Sequence, residues 1–268
     1  MSRSKPNILL FFTDQQRYDT VGALANTHIQ TPNLDRLVRE GISFVRAFTP
    51  SPVCVPARAS LHYGQYPGKT RCFANAHPMP ADRQSYVGLL AEEGYDTIGI
   101  GKCHFTPDRT ALRGFRRRLK QEEVPPRIDD DDYLQFLRHS PYRQIRDVHG
   151  TWGDMIYRPQ TSPLPPDHHP SQWVGDQTIH YIEEESTQPG HAPWFAFCSF
   201  IHPHPPYAPP APWDEIYDPD EVDPPHLPEG YESRQNRFIQ EALHNYYLTP
   251  PVSPDLWRVM KARYYACI

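Results

Sequence analysis

The sequence predicts an α/β fold with a mainly parallel central sheet. Three short apolar runs, at residues 8–12, 96–101 and 194–200, have the length and composition of buried strands. Segments with helical patterning lie between them, and such alternation is typical of parallel α/β sheets. Because ligands of these folds gather beyond the carboxyl ends of the strands, the residues that follow each run are candidate site residues.

Capping and turn residues mark the other elements. Thr31 as N-cap, Pro32 at the first helical position and Gly41 after the end predict a helix between them. A second strand is expected over residues 42–48, and it precedes a helix from Pro56 to about Tyr63. Further helices are predicted over residues 85–93, 174–185 and 232–247 and from Ser253 onward.

Long loops are expected in the middle of the chain. The 32 prolines cluster at residues 159–170, 203–212 and 219–228, which lack helix or strand periodicity. A basic run at 113–120, followed by acids at 129–132, indicates a solvated loop with salt bridges rather than a polyanion site. We therefore expect a single domain over residues 1–268 with a loop-rich insertion at 106–170.

Composition narrows the functional classes. The chain has 268 residues, a net charge of -5 and a mean hydropathy of -0.69, so no global basic field suggests nucleic acid as a partner. No apolar run reaches membrane-spanning length, and the N-terminus lacks signal-peptide features. The five cysteines are widely spaced without a Cys-x-x-Cys pair, which argues against a zinc knuckle or a disulfide framework. A cytoplasmic protein with reduced thiols is expected, of a subunit number that the sequence does not indicate.

Polar clusters follow two of the predicted strands. Asp14 and Gln15 come after the first strand, and their oxygens suit a hard cation such as Ca²⁺ or Mg²⁺. Lys102 and His104 follow the strand at 96–101. As alternate residues they would point the same way in extended backbone, where they could hold an anionic oxygen.

A third cluster, His202 and His204, follows the strand at 194–200. The His-x-His spacing fits a metal site, with Asp14 as one further ligand. Prolines around both histidines restrict their backbone.

The run Cys54-Val55-Pro56-Ala57-Arg58 is the strongest functional signal. Proline two residues after Cys54 suits the first turn of a helix, and Arg58 then lies about one turn farther on. A helix N-terminus offers free N–H groups and partial positive charge to a sulfate or phosphate. A lone cysteine is otherwise most often a small buried hydrophobic residue.

This Cys-x-Pro-x-Arg pattern resembles the signature of the type I sulfatases. Other segments resemble the family's motifs in the same order, at residues 7–17, 31–37, 101–104 and 203–206. The resemblance implies an alkaline phosphatase-like α/β/α sandwich. It also implies that a formylglycine-generating enzyme oxidises Cys54 to formylglycine. The implied metal is divalent, Ca²⁺ ahead of Mg²⁺ or Mn²⁺, with Asp14, Gln15 and the modified Cys54 as ligands.

The resemblance further implies hydrolysis of a small anionic sulfate ester. The formylglycine hydroxyl would attack sulfur while Arg58 and Lys102 stabilise the developing charge. His104 would donate a hydrogen bond to the sulfate. His204, or His202 beside it, would protonate the departing alcohol.

Two features depart from the family pattern. Residues 62–65 are His-Tyr-Gly-Gln where the family usually has Leu-Thr-Gly-Arg. The later segment that bears the family's remaining metal ligands and a second lysine is not found. Apolar residues at helical spacing continue to the last position, which leads us to expect an N-terminal portion whose C-terminal part is missing.

Two alternative functions remain open at this stage. A phosphonate or phosphate ester hydrolase of the same superfamily needs the same anion clamp, so the residues do not separate it from a sulfatase. The chain could also be an inactive fragment or pseudo-enzyme that binds anions without turnover, since a cation with one or two protein ligands is weakly held.

Overall fold

The computed structural model describes residues 5–125, 127–151, 158–187, 190, 192–224, 229–230 and 253–268. The chain divides into two compact units. The first contains Met1–Gln15, Phe44–Arg146 and Pro166–His202. The second contains Gln16–Ser43, Asp147–Pro165 and Pro203–Ile268. No helix among the described residues combines the length and the apolar character that crossing a membrane requires.

A four-stranded parallel sheet forms the centre of the first unit. Its strands are β1 (Ile8–Phe12), β2 (Asp96–Gly101), β3 (Arg117–Lys120) and β4 (Trp194–Ser199), in the spatial order β1-β4-β2-β3. Every neighbouring pair is parallel. The predicted α/β class and parallel sheet are therefore confirmed.

The described α-helices are α1 (Pro32–Glu40), α2 (Cys54–Tyr63), α3 (Pro67–Thr70), α4 (Tyr86–Glu92), α5 (Asp132–Arg138), α6 (Pro170–Thr187) and α7 (Pro254–Ala266). The predictions for α1, α2, α4, α6 and α7 are confirmed to within a few residues at their ends. The predicted helix over 232–247 lies outside the described residues.

Helices cover both faces of the sheet in the first unit. Phe195 and Phe197 of β4 point to one face, where they join a buried core with Val55 of α2 and Val87 of α4. The other face of β4 contacts α6, where the Thr178 hydroxyl donates to Cys198 Sγ at 3.1 Å. The first unit is therefore a three-layer α/β/α arrangement.

Strand β1 is buried on one face only, which corrects the expectation of burial on both. Leu9 and Phe11 are 44% and 52% exposed, while their neighbours in the strand pack into the core. The reason is its position, because β1 is one of the two edge strands of the described sheet and pairs only with β4 there. Wholly apolar composition alone does not distinguish an edge strand from a central one.

The strand predicted over 42–48 is wrong. A turn occupies residues 45–46, and Ile42, Phe44 and Phe48 are exposed. The apolar pattern favours extended structure, but a strand also needs a neighbour to pair with. No described strand pairs with this segment.

The prediction of a loop over the charged run at 113–132 is also wrong in part, because it contains β3 and the start of α5. β3 has little apolar content, and its pairing with β2 rather than its composition makes it a strand. Asp131 caps α5 by accepting a hydrogen bond from the Leu134 N–H at 2.9 Å. Where they are described, the proline-rich segments contain short 3₁₀ turns at Pro166–His168 and Pro219–Glu221, and α6 begins at Pro170.

The second unit contains α1 and α7. Tyr264 and Tyr265 of α7 pack with Ile29 and Val222 in its buried cluster. Thr31 does not cap α1 through its side chain, which corrects the sequence expectation. Its hydroxyl donates instead to Asp35 Oδ1 at 2.8 Å.

Candidate functional site

Arg58 connects the carboxyl ends of three strands in the first unit. It lies one turn into α2 and is 4% exposed. The guanidinium donates to Asp14 Oδ2 at 3.0 Å, to Ser199 Oγ at 3.1 Å and to the Lys102 carbonyl oxygen. Asp14 follows β1, Lys102 follows β2 and Ser199 ends β4. The structure thus brings the predicted residues Asp14, Arg58 and Lys102 together, and it adds Ser199, which the sequence did not indicate.

Lys102 is fully buried between two carboxylates. Its Nζ lies 2.6 Å from Asp14 Oδ2 and also pairs with Glu123 Oε1. Burial lowers the pKa of the Lys102 ammonium, and the Asp14 carboxylate opposes this by favouring the charged form. The site therefore holds two cationic side chains against a single oxygen of Asp14.

Cys54 is the first residue of α2 and is partly buried. Its Sγ lies within 4.8 Å of a carboxylate oxygen of Asp14. A charge on this sulfur would act on the pKa of Lys102, so the two side chains share one electrostatic environment. The structure thus brings the predicted nucleophile precursor together with Asp14 and Lys102.

The start of α2 offers fewer donors than the sequence led us to expect. The Val55 N–H donates to Asn75 Oδ1 at 2.9 Å, and the Ala57 N–H donates to the Val53 carbonyl at 2.9 Å. Pro56 has no N–H at all. Binding of an anion beside Cys54 therefore depends on side chains such as Arg58 and Lys102 more than on the helix terminus.

His104 does not continue the extended backbone of β2. Its φ of 54° lies in the left-handed region, so the expectation that it shares a face with Lys102 in extended backbone is wrong. Burial lowers the pKa of His104 to about 2, with further lowering by Lys102 and Arg58. The imidazole is therefore neutral, and its buried Nδ1 has no hydrogen-bond partner among the described residues.

Three predicted site residues remain: Gln15, His202 and His204. Gln15 is exposed, with a φ of 62°. His202 is buried in the first unit, with Nδ1 3.0 Å from Ser171 Oγ and its ring 4.7 Å from that of His169. His204 belongs to the second unit, where Nδ1 lies 2.6 Å from the Pro205 carbonyl oxygen. Their proposed roles stay predictions.

Sequence reasoning missed three charged residues of the site region: Arg118, Glu122 and Glu123. Glu123 pairs with Lys102, and Arg118 pairs with Glu122 at 2.9 Å. The sequence did contain a signal, because Glu122 and Glu123 come just after β3, separated from it only by Gln121. Recognising β3 as a strand would have placed them at the same edge of the sheet as Lys102.

Comparison with known proteins identifies the family that this chain resembles. A sequence model of the family named Sulfatase matches residues 6–248. An arylsulfatase of Clostridium perfringens is 30% identical over 231 residues, covering 80% of this chain and 46% of the relative. A choline-sulfatase of Rhizobium meliloti is 31% identical over 211 residues, covering 77% of this chain and 40% of the relative. The chain thus spans somewhat less than half the length of these two relatives.

The solved structures show the same fold. The crystal structure of a phosphonate monoester hydrolase of Agrobacterium radiobacter superposes with a TM-score of 0.75 at 26% identity, covering 98% of this chain and 56% of the other. The parallel sheet with flanking helices is therefore the alkaline phosphatase-like α/β fold, as the resemblance implied. With a family match over most of its length and 30% identity to a curated relative, this chain belongs to the sulfatase family.

Proposed function

We propose that the protein hydrolyses a sulfate ester, with formylglycine derived from Cys54 as its nucleophile. One observation carries this proposal: Cys54 lies beside Asp14 in a buried site where Arg58 and Lys102 supply two positive charges. This is the charge pattern that cleavage of an anionic ester needs, since negative charge develops on the sulfate oxygens. The proposal concerns the whole protein.

A divalent cation fits the donor set of the first unit. The Asp14 oxygen and the side-chain atom of residue 54 are close enough to bind one ion, and Asp14 supplies a hard carboxylate. Asp14, Gln15 and the modified residue 54 would hold the ion, with Ca²⁺ preferred to Mg²⁺ or Mn²⁺. When bound, such an ion lowers the pKa of a nearby hydroxyl and polarises the ester oxygens.

In the first half of the reaction the ester is cleaved, and each of several side chains has its own role. A hydroxyl of hydrated formylglycine attacks sulfur, and the sulfur–oxygen bond to the alcohol breaks. Arg58 and Lys102 stabilise the charge on the sulfate oxygens, and His104 donates a hydrogen bond to them. His204, or His202, gives a proton to the departing alcohol.

The second half of the reaction restores residue 54. The remaining hydroxyl of the sulfated hemiacetal loses its proton, the bond between carbon and the sulfate oxygen breaks, and sulfate leaves. The aldehyde is regenerated and adds water again. No external oxidant is consumed during turnover, because oxidation of Cys54 by the formylglycine-generating enzyme precedes it.

Mass spectrometry of the Cys54 peptide tests the modification. The protein is produced together with a formylglycine-generating enzyme, and we expect residue 54 to exchange its sulfur for oxygen and lose two hydrogens. Cys72, which is buried, serves as the unmodified reference in the same digest. Cys54→Ala is the control for turnover of 4-nitrophenyl sulfate with added Ca²⁺ or Mg²⁺. An unmodified thiol together with no turnover would contradict the proposal.

Hydrolysis of a phosphonate monoester is the second candidate. It is favoured by the similarity to the Agrobacterium radiobacter hydrolase, with its TM-score of 0.75. Sulfate and phosphonate esters carry similar negative charge on their non-bridging oxygens, so Arg58 and Lys102 can stabilise either. Values of kcat/KM measured side by side on an aryl sulfate and an aryl phosphonate monoester decide between them. Binding of inorganic sulfate without turnover of either ester would instead support an inactive anion-binding protein.

A further inference from the structure

The two N–H groups that follow Lys102 are bound by one buried carboxylate, that of Glu122. Glu122 Oε1 accepts hydrogen bonds from the Cys103 and His104 N–H groups, both at 3.1 Å. Its Oε2 accepts from the His104 N–H at 3.0 Å. Consecutive N–H groups that converge on one anionic group form a strong local anchor. Glu122 therefore fixes the backbone on which Lys102 and His104 are carried.

The segment needs such an anchor because its conformation is unfavourable. His104 has a φ of 54°, which a residue with a Cβ rarely adopts. The start of the segment is fixed by the Lys102 N–H, which donates to the Ser199 carbonyl at 3.0 Å. Between these points the chain turns away from the extended path of β2, and Glu122 accepts the N–H groups of the turn, while Arg58 donates to the Lys102 carbonyl at its start.

Glu122 is itself held on two sides. The Arg118 guanidinium donates to Glu122 Oε1 at 2.9 Å. It is held in place because it also donates to the Arg109 and Ala111 carbonyl oxygens, at 2.8 Å and 2.9 Å. The Glu122 N–H donates to Asp131 Oδ2 at 2.7 Å, which connects the segment to the start of α5. Because hydrogen bonds hold both the side chain and the backbone of Glu122, its carboxylate has little freedom to move away from the turn.

We infer that Glu122 is a positioning residue that sets the geometry of the anion clamp formed by Lys102 and His104. The inference rests on the proposed function in assigning the clamp to a sulfate or phosphonate group. The positioning role of Glu122 does not depend on that function. Without the Glu122 carboxylate the turn loses the acceptor for two N–H groups, and Arg118 loses its counter-charge.

Glu122→Gln tests the inference, because glutamine keeps the size and one acceptor oxygen but places N–H donors against the Cys103 and His104 N–H groups. Two quantities are measured: the hydrogen-exchange rates of those two amides, and the affinity for inorganic sulfate by calorimetry. We expect exchange about tenfold faster and sulfate affinity about tenfold weaker, the size of one lost charge-assisted hydrogen bond. Val87→Ala is the control, since it removes buried side-chain volume from the core cluster that also contains Cys103 but removes no hydrogen bond of the turn.

The inference is overturned if Glu122→Gln changes both quantities no more than Val87→Ala does at equal loss of thermal stability. If the unaltered protein binds no sulfate, the proposed function loses its support while the exchange rates still decide the role of Glu122. Should Glu122→Gln fail to fold, Arg118→Lys provides the second test. It keeps the positive charge but loses the planar donors, so we expect faster exchange at the same two amides, and unchanged exchange would overturn the inference.

Discussion

Lys102 Nζ lies 2.6 Å from Asp14 Oδ2 in a pair that water hardly reaches. The side chain of Lys102 is fully buried and that of Asp14 is 10% exposed. Arg58 donates to the same carboxylate oxygen. Buried charges are tolerated only while they are paired, so these three side chains depend on one another.

Lys102→Met should therefore destabilise the protein by roughly 3–5 kcal/mol, the usual cost of leaving a buried charge without its partner. The carboxylates of Asp14 and Glu123 would face each other with less compensation. Urea unfolding gives the free energy. The double variant Lys102→Met with Asp14→Asn should lose less than the sum of the two single changes, and strict additivity would show that the pair is not coupled.

Gly101→Ala should destabilise the protein by distorting the backbone at the end of β2. Gly101 has a φ of 91°, and a Cβ there would lie 2.0 Å from the Ser199 carbonyl oxygen. We expect a loss of at least about 3 kcal/mol, because the clash is with backbone that cannot move aside. Gly175→Ala in α6 is the matched control, since a Cβ there meets nothing within 4 Å. It should stabilise by up to about 1 kcal/mol, and equal effects of the two changes would contradict the prediction.

Ser85→Ala should weaken the start of α4. The Ser85 hydroxyl accepts from the Gly88 N–H at 3.0 Å and donates to the Arg113 carbonyl at 2.9 Å. Ser253 caps α7 in the same way, with the Leu256 N–H at 3.1 Å, but is exposed. We expect a loss of about 2 kcal/mol for Ser85→Ala and about 1 kcal/mol or less for Ser253→Ala, measured by thermal unfolding. A larger loss of stability for Ser253→Ala than for Ser85→Ala would contradict the expectation that the buried cap contributes more.

His62 should make stability depend on pH. Burial lowers its pKa to about 4, although its ring Nε2 donates to the Arg113 carbonyl at 2.8 Å. The unfolded chain then binds the proton more tightly, so this contribution is complete above about pH 6.5 and is lost as the pH falls toward 4. Between pH 7 and pH 5 the protein should lose about 2 kcal/mol more stability than His62→Gln does.

Denaturant titrations at the two pH values measure this difference. The comparison cancels other titrating groups, including Asp131, whose pKa burial raises to about 7 and which acts in the opposite direction. Equal pH dependence in the two proteins would show that His62 is not the group responsible.

Local patterns predicted much of this molecule. The apolar runs at β1, β2 and β4 and the caps of α4 and α7 depend on neighbouring residues, and they were found where expected. Asp14, Cys54, Arg58 and Lys102 were identified for the same reason, because each follows a recognisable strand or opens a recognisable helix. The edge position of β1, the strand character of β3 and the failure of 42–48 to form a strand depend on pairing partners far away in the chain.

The sequence by itself determined the α/β class, the positions of β1, β2 and β4 along the chain, and the charged residues Asp14 and Lys102 that follow two of them. Only the tertiary structure decided how those charges are shared. It placed Lys102 between Asp14 and Glu123 and occupied hydrogen-bond donors at the start of α2. It also turned His104 out of the extended path of β2, where its N–H donates to Glu122. Hydrogen bonds and burial join residues that are distant in sequence, so no local pattern could have carried this information.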